Sequence, residues 1–465
     1  MLDFVPNLRL RGLEDLKRVL IVGADFVPSS LPPALRIRFF ARHLPSFGWK
    51  PTVLTADSRC YEYSVDPENI HLLPQDLPVI RTGAVPARIS KLLGIGDIGM
   101  RTMWQHWRAI KDLCRRGEVD LIFIPVPPYV PMALGRMAHD RFGVPYVIDY
   151  IDPWVTDYYW KKPKSERPPK WFLADALSRI VEPYALKHVG HMIGVSQGTT
   201  NGVAERYSWL STQDGSEIPY GVEPSDFQYL AAHPRKNLVF DRQDGCFHIS
   251  SVGRGGVDQF SILRALFEAV RLGLKEAPER YGRLRFHFVG TSYAANAASN
   301  FQVMPLAAEY GLQELVSERP GRVPYLDALQ VLLDSHALVA IGSEEAHYTA
   351  SKIFPYLLSG RPILAIFHQA SSVLEILRRS RIGLTVAFGA DDPIGGKATE
   401  IRTALDALSS AGEPAPPRDL HELSDYTAEA MTAKLAAVFD NVMRLHQNHS
   451  LPNPAKDGQR IAVPK

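Results

Sequence analysis

Residues 337–364 constrain the fold of this chain more than any other stretch. They open with five apolar residues, Ala337 to Ile341, the length and composition of a buried strand. A polar loop follows, and then a helix whose first turn is expected to carry Ser351 and Lys352. Gly360-Arg361-Pro362 ends that helix, because glycine tolerates a left-handed cap and proline cannot continue the turn. Residues 363–366 then start a second strand. A strand, loop, helix and strand in this order belong to a parallel sheet with right-handed crossovers. The loop leaving the first strand presents unpaired backbone N–H groups and the positive end of a helix dipole, which is where α/β proteins bind phosphate. This loop is the expected anion site.

The same pattern recurs along the chain. Residues 18–22 and Gly23 read as the first strand of a doubly wound sheet. A proline-rich loop, residues 25–33, precedes a helix with Leu35, Phe39 and Leu44 on one face and Arg36, Arg38 and Arg42 on the other. Residues 48–55 form the return turn and second strand. Two further buried strands, 121–124 and 145–149, end in loops that run to Tyr129 and from Asp149 to Trp154. Ligands of open α/β sheets sit at the carboxyl ends of strands, so both loops are site candidates. Residues 191–195 are another strand, with Ser196 and Thr199 placed to cap the helix after it. The polar segment 230–245 reads as a linker. Beyond it the pattern restarts: strand 247–252, the loop Gly253-Arg254-Gly255-Gly256, an amphipathic helix over 260–274, a strand ending at Gly290, and Gly321-Arg322-Val323-Pro324 before a helix. Arg254 is the candidate phosphate clamp.

The expected fold is therefore α/β, two doubly wound parallel-sheet, Rossmann-like domains facing across a cleft. Their expected limits are 1–229 and 230–415, with a crossover helix over 416–446 and a disordered tail over 447–465. With 465 residues and 46% apolar content, the chain can fill two full cores. Basic residues exceed acidic ones by only 52 to 50, so net charge offers no case for nucleic-acid binding. Cys60, Cys114 and Cys246 lie far apart without C-x-x-C spacing, which points to a reducing compartment rather than zinc or disulfides. The first residues are charged before any apolar run, and no run reaches membrane-spanning length, so a cytoplasmic protein is expected.

Two segments, 101–116 and 154–172, mix aromatic with basic residues, among them Trp104, Trp107, Lys111, Trp160, Lys164 and Phe172. Such segments suit the headgroup region of an anionic membrane, which makes peripheral attachment at the inner membrane face an expectation. A literal G-x-G-x-x-G at Gly94, Gly96 and Gly99 follows a helical segment instead of a strand, and is rejected as a dinucleotide fingerprint.

Taken in order, Pro127-Pro128, then Asp149 to Trp154, then Ile218 to Val222, and finally 352–357 with 360–364, resemble the GT-B glycosyltransferases, in particular the family-4-like enzymes of polysaccharide and exopolysaccharide assembly. The resemblance runs from Arg18 to about Val442. It implies transfer of a sugar from a nucleotide-sugar co-substrate to a glycan or lipid-linked acceptor, with retention at the anomeric carbon and neither a metal nor another cofactor. It also implies site roles. Gly253, Arg254, Gly290, Arg322, Val323, Ser351 and Lys352 would hold the nucleotide sugar. Ser30, Tyr129 and Trp154 would lie on the acceptor side. Asp152 would be the acceptor-side acid or base and Glu345 would contact the donor sugar. Three motifs depart from the family pattern: His347 and Pro355 stand at the first and second positions of a Glu-x7-Glu pair, with Glu344 and Glu345 close enough to serve the first role, Ile151 replaces an arginine, and Tyr129 replaces a histidine. The alternative these departures leave is a non-catalytic GT-B protein that binds a sugar nucleotide or a partner transferase. An epimerase of the same architecture would need a His, Asp and Glu cluster that the sequence does not assemble.

Overall fold

The computed structural model describes residues 16–450 apart from 64, 93–95, 158–159, 161–162, 165–166, 168–170, 293–299, 345–350 and 411–419. The first domain contains seven parallel strands, β1 (Lys17–Val22), β2 (Trp49–Ala56), β3 (Val79–Thr82), β4 (Leu121–Val126), β5 (Tyr146–Tyr150), β6 (His191–Gly194) and β7 (Gly215–Glu217). Their order is β3-β2-β1-β4-β5-β6-β7. The second contains β8 (Phe247–Val252), β9 (Leu284–Val289), β10 (Val316–Arg319), β11 (Ala337–Ile341), β12 (Ile363–His368) and β13 (Leu384–Phe388), in the order β10-β9-β8-β11-β12-β13. All are parallel. In each sheet the winding reverses beside the first strand, between β1 and β4 and between β8 and β11. That reversal opens a crevice at the carboxyl ends, the usual ligand position in this architecture.

Helices cover both faces of both sheets. In the first domain these are α1 (Pro32–His43), α2 (Ala87–Leu92), α3 (Ile98–Arg115), α4 (Met132–Phe142), α5 (Trp171–Leu186) and α6 (Gln197–Ala204), with α7 (Pro224–Ala232) leading out. The second has α8 (Phe260–Glu276), α9 (Pro278–Gly282), α10 (Met304–Glu309), α11 (Tyr325–Asp334), α12 (Ile353–Leu358), α13 (Ser372–Ser380) and α14 (Ala398–Ser410). The last helix, α15 (Ala428–Ser450), crosses back, and Met431, Leu435, Phe439 and Val442 enter the first domain's core beside Val19, Ile21 and Phe123. Asp440 fixes the crossing by accepting from Lys17 Nζ at 2.7 Å and Trp49 Nε1 at 3.2 Å.

Four expectations need correction. The boundary expected at 229/230 falls inside α7, and the irregular connection runs over 233–246, where Phe240 stacks on His248 at 4.3 Å. The last helix continues to Ser450, so 447–450 are helical; residues 451–465 and the hinge-like 411–417 lie outside the described residues. Helix α12 begins at Ile353, one residue after Lys352, and has only six residues. Pro355 sits in its first turn, where no intrahelical N–H is lost.

The fourth correction concerns α1. Its arginines do not face water. Arg36 and Arg38 are 2% and 0% exposed, while Leu35 and Phe39 are half-buried. Helix α1 is enclosed on several sides, so its charges find buried acids. Arg36 donates to both oxygens of Asp149, at 2.6 and 3.0 Å, and to the carbonyls of Ile218 and Pro219. Arg38 forms a two-pronged pair with Asp226 of α7 at 2.6 and 2.5 Å. Asp226 also accepts from the Tyr325 hydroxyl at 2.7 Å, and the Tyr325 N–H donates to Asp66 at 2.7 Å, so α11 of the second domain is tied to the first. Removing one partner strands a buried charge. Asp226→Asn is expected to cost about 3–5 kcal/mol in urea denaturation, and the pair Arg38→Met with Asp226→Leu to recover most of it. A loss under 1 kcal/mol for Asp226→Asn would mean that water reaches the pair.

Candidate active site

The two crevices face one another. Between them lies a cleft of about 1120 Å³, lined from the first domain by Asp25, Pro127, Pro128, Asp152 and residues of α6, and reached from the second by Ser351. The space lies just past the upper end of the roughly 300–1,000 Å³ usual for a small-molecule site.

On the second-domain side, β8 ends in Gly253 at φ +131°, and a β-carbon there would lie 3.3 Å from Lys352 Cδ. The lysine stem thus lies over the glycine, which buries the ammonium end. Burial lowers the Lys352 pKa to about 8; Arg254 adds to that shift and Asp258 opposes it. Arg254 pairs with Asp258 at 2.7 Å. Gly256 makes room for that pair, since a β-carbon there would meet Arg254 Nη1 at 2.7 Å and Asp258 Oδ1 at 2.4 Å. Gly290 ends β9 at φ +75°, a conformation that favours glycine, and its N–H donates to Arg319 O at 2.8 Å. Arg322 and Val323 precede α11. Arg322 lies close enough to Asp25 of the opposite crevice to pull that carboxyl's pKa down.

On the first-domain side, Asp152 stands after β5 with one side open to solvent. The surrounding walls raise its carboxyl above the ordinary range, and Arg254 across the cleft draws it back. Tyr129 and Trp154 stack at 5.0 Å with nearly parallel rings, and the Tyr129 hydroxyl donates to the carbonyls of Asp152 and Pro153 at 3.3 Å. These two residues brace the Asp152 loop; neither lines the cleft, and nor does Ser30. Glu345 and His347 lie outside the described residues. Ile151 is 6% exposed and belongs to the same apolar cluster as Ile353 and Phe354, so the position expected to carry an arginine instead packs between domains. Of the rejected glycine triplet, Gly99 has a packing role, since a β-carbon there would come within 2.6 Å of Pro128.

The sequence reading passed over one cluster. Asp25 is 3% exposed beyond the end of β1, and its Oδ2 accepts from the hydroxyls of Tyr63 at 3.0 Å and Ser29 at 3.3 Å. Burial raises its carboxyl pKa, against the two hydroxyls and Arg322. The available signal was positional: an acid two residues after Gly23 stands where the Gly253 loop stands in the second domain. Among the described residues no three His, Cys, Asp or Glu side chains converge as a metal site requires.

Residues 33–209 match the family model described as a glycosyl transferase 4-like domain. A glycosyltransferase from Rickettsia africae ESF-5 superposes with a TM-score of 0.52 at 12% identity, over 92% of this chain and 99% of that one. The chain has the GT-B fold, and its residues 33–209 are similar to the glycosyl transferase 4-like domain. Anabaena HepE, solved in complex with UDP-glucose, shares the GT-B fold at 13% identity and TM-score 0.52, over 93% of this chain and 99% of that one. A trehalose 6-phosphate synthase from Burkholderia multivorans gives the same score and identity over 97% and 100%. No curated protein matches the chain in sequence.

In this GT-B cleft Lys352 should be acylated by an amine reagent with a midpoint near pH 8, about two units below ordinary lysines. Peptide mass spectrometry across a pH series reads this directly. A midpoint above about 10 would place the ammonium in water and away from Arg254.

Proposed function

We propose that this protein is a glycosyltransferase that moves a sugar from a nucleotide-sugar donor to a polysaccharide or lipid-linked acceptor, without a metal and with retention. The observation that carries the reading is the pairing of Lys352 and Arg254 at the second-domain crevice. Two cations that lower each other's charge stability are relieved by an anion placed between them. A nucleoside diphosphate is such an anion, and the cations would stabilise the charge that grows on it as the sugar's bond to phosphate breaks. The acceptor oxygen then forms the new bond to the same carbon, its proton passing to the departing phosphate. Asp152, facing Arg254 from the acceptor side, orients the incoming hydroxyl. Gly290, Arg322 and Val323 complete the donor side near the base. Tyr129 and Trp154 keep Asp152 in place, with Ser30 at the acceptor entrance.

A lipid-linked acceptor is favoured by a surface on the same domain. Trp104 is 64% exposed and Ile180 69%, and Phe172 and Leu173 of α5 are exposed as well. Lys111 Nζ sits 5.9 and 5.7 Å from the rings of Trp104 and Trp107, so basic and aromatic groups share the face. No helix among the described residues is long and apolar enough to cross a membrane. The second reading, a non-catalytic sugar-nucleotide or partner binder, is favoured by Pro355 alone, which cannot accept the ribose hydrogen bonds the family pattern expects.

Calorimetry against UDP, GDP and ADP is expected to find one ligand. Lys352→Ala should weaken it by about 1–3 kcal/mol, the scale of a charge-assisted hydrogen bond. Lys352 is protonated below its pKa of about 8, so affinity should fall as the pH rises past that value. Unchanged affinity in Lys352→Ala would remove it from the site, and nucleotide binding without sugar transfer to any acceptor would favour the binding protein. Liposomes rich in anionic lipid should retain the protein on flotation at low salt, and failure there would rule out the membrane surface.

A further inference from the structure

The second domain reaches only one end of the cleft, through Ser351 beside Lys352. The far arm is walled by α6, whose residues Gly198, Asn201, Gly202 and Glu205 follow the i, i+3, i+4, i+7 spacing of one helix face and all line the cavity, as does Arg206. The opposite face, Thr200, Val203 and Ala204, is buried. Two polar groups on this wall, Arg206 and Asn201, are held by neighbours, and Glu205 is exposed beside them. Arg206 donates to Glu182 at 3.0 Å and to Gly202 O at 2.8 Å, and Glu182 is fully buried and also accepts from the hydroxyls of Tyr207 at 2.7 Å and Tyr150 at 3.2 Å. The Asn201 carbonyl oxygen accepts from Gln197 at 2.8 Å, which leaves its amide hydrogens directed elsewhere.

The two glycines on this face have no packing reason inside the chain. A β-carbon on Gly202 would meet nothing within 4 Å, and on Gly198 only Ser196 Oγ at 3.9 Å. Glycine within a helix costs stability relative to alanine, so the fold alone would be better served by a side chain there. What the glycines preserve is open volume in the cavity. The charges beside that volume do not favour an anion: Arg206 is already paired with the buried Glu182, and Glu205 stands on the rim. This is unlike the donor side, where cations prevail.

We propose that the α6 arm of the cleft is the bed for the acceptor, that the segment lying on Gly198 and Gly202 is an uncharged sugar, and that Asn201, Glu205 and Arg206 hold its hydroxyls. The proposal rests on the transferase reading for the word acceptor, but binding itself is testable apart from it. Hydroxyls both donate and accept, which suits a wall carrying a carboxylate, an amide and a guanidinium. A phosphate here would meet Glu205 and is disfavoured.

The test is saturation-transfer NMR on the full chain with a panel of methyl glycosides and disaccharides of glucose, galactose, mannose and N-acetylglucosamine, beside the same sugars as phosphates. The wild-type protein is expected to saturate at least one neutral sugar. Gly202→Leu and Arg206→Ala should weaken that signal at least tenfold while leaving nucleoside diphosphate binding unchanged, and Lys352→Ala should do the reverse. Gly202→Ala should raise the melting temperature yet still weaken sugar binding, which separates an occupied bed from a structural glycine. Binding of no neutral sugar, binding of sugar phosphates only, or sugar binding untouched by Gly202→Leu overturns the proposal. Sugar binding through α6 without any nucleotide binding would keep it and defeat the transferase reading instead.

Discussion

Everything in the cleft depends on two sheets being held with their carboxyl ends opposed, and the buried node of Arg38, Asp226 and Tyr325 is where that geometry is fixed. The three come from α1, α7 and α11, and the backbone of Tyr325 reaches on to Asp66. Nearby Arg235 pairs with Asp327 at 2.6 Å and also with Glu68 of the first domain. A buried ion pair adds little net stability over an apolar contact of the same size, but it penalises every arrangement that leaves one charge unmet. A node of this kind selects one relative placement of the domains. The loop carrying Arg322 and Val323 immediately precedes Tyr325, so the donor-side loop is positioned by the first domain as well as by its own sheet.

That dependence explains what the sequence could and could not disclose. Strands such as residues 121–126 and 337–341 are buried on both sides and read as unbroken apolar runs, so the parallel sheets were legible from pattern alone. Helix α1 was not. Its arginines alternate with apolar residues as they would on a surface helix, and only long-range partners, Asp149 and Asp226, make burial possible. Local periodicity carries no information about a partner more than 100 residues away. Asp25 was missed for a related reason: its significance lies in Tyr63 and Arg322, which come from elsewhere in the chain.

The departures from the family pattern are linked in the structure. Ile151 packs in the apolar cluster with Ile353 and Phe354 of α12, the short helix that carries Pro355. An isoleucine at 151 matches the apolar start of α12, so the absent arginine and that apolar contact belong together. Tyr356 of the same helix anchors the end of β8, donating to Val252 O at 3.1 Å and accepting from Val252 N at 2.6 Å. The helix has become a packing element that positions the Gly253 loop. In the proposed site anion binding would fall to side-chain cations and not to a dipole that six residues can barely supply.

The energetics of Lys352 follow from this. A lysine whose stem lies over Gly253 and whose ammonium is close to Arg254 is held at a cost, visible as its lowered pKa, and the adjacent Asp258 is already engaged by Arg254. An anion that enters between the cations restores the lysine's charge, so ligand binding and proton uptake are coupled whenever the pH stands near 8. In the proposed reaction the coupling favours the transition state over the bound donor, because the diphosphate's charge rises as its bond to the sugar lengthens, and an interaction that strengthens during the reaction lowers the barrier where uniform binding would not.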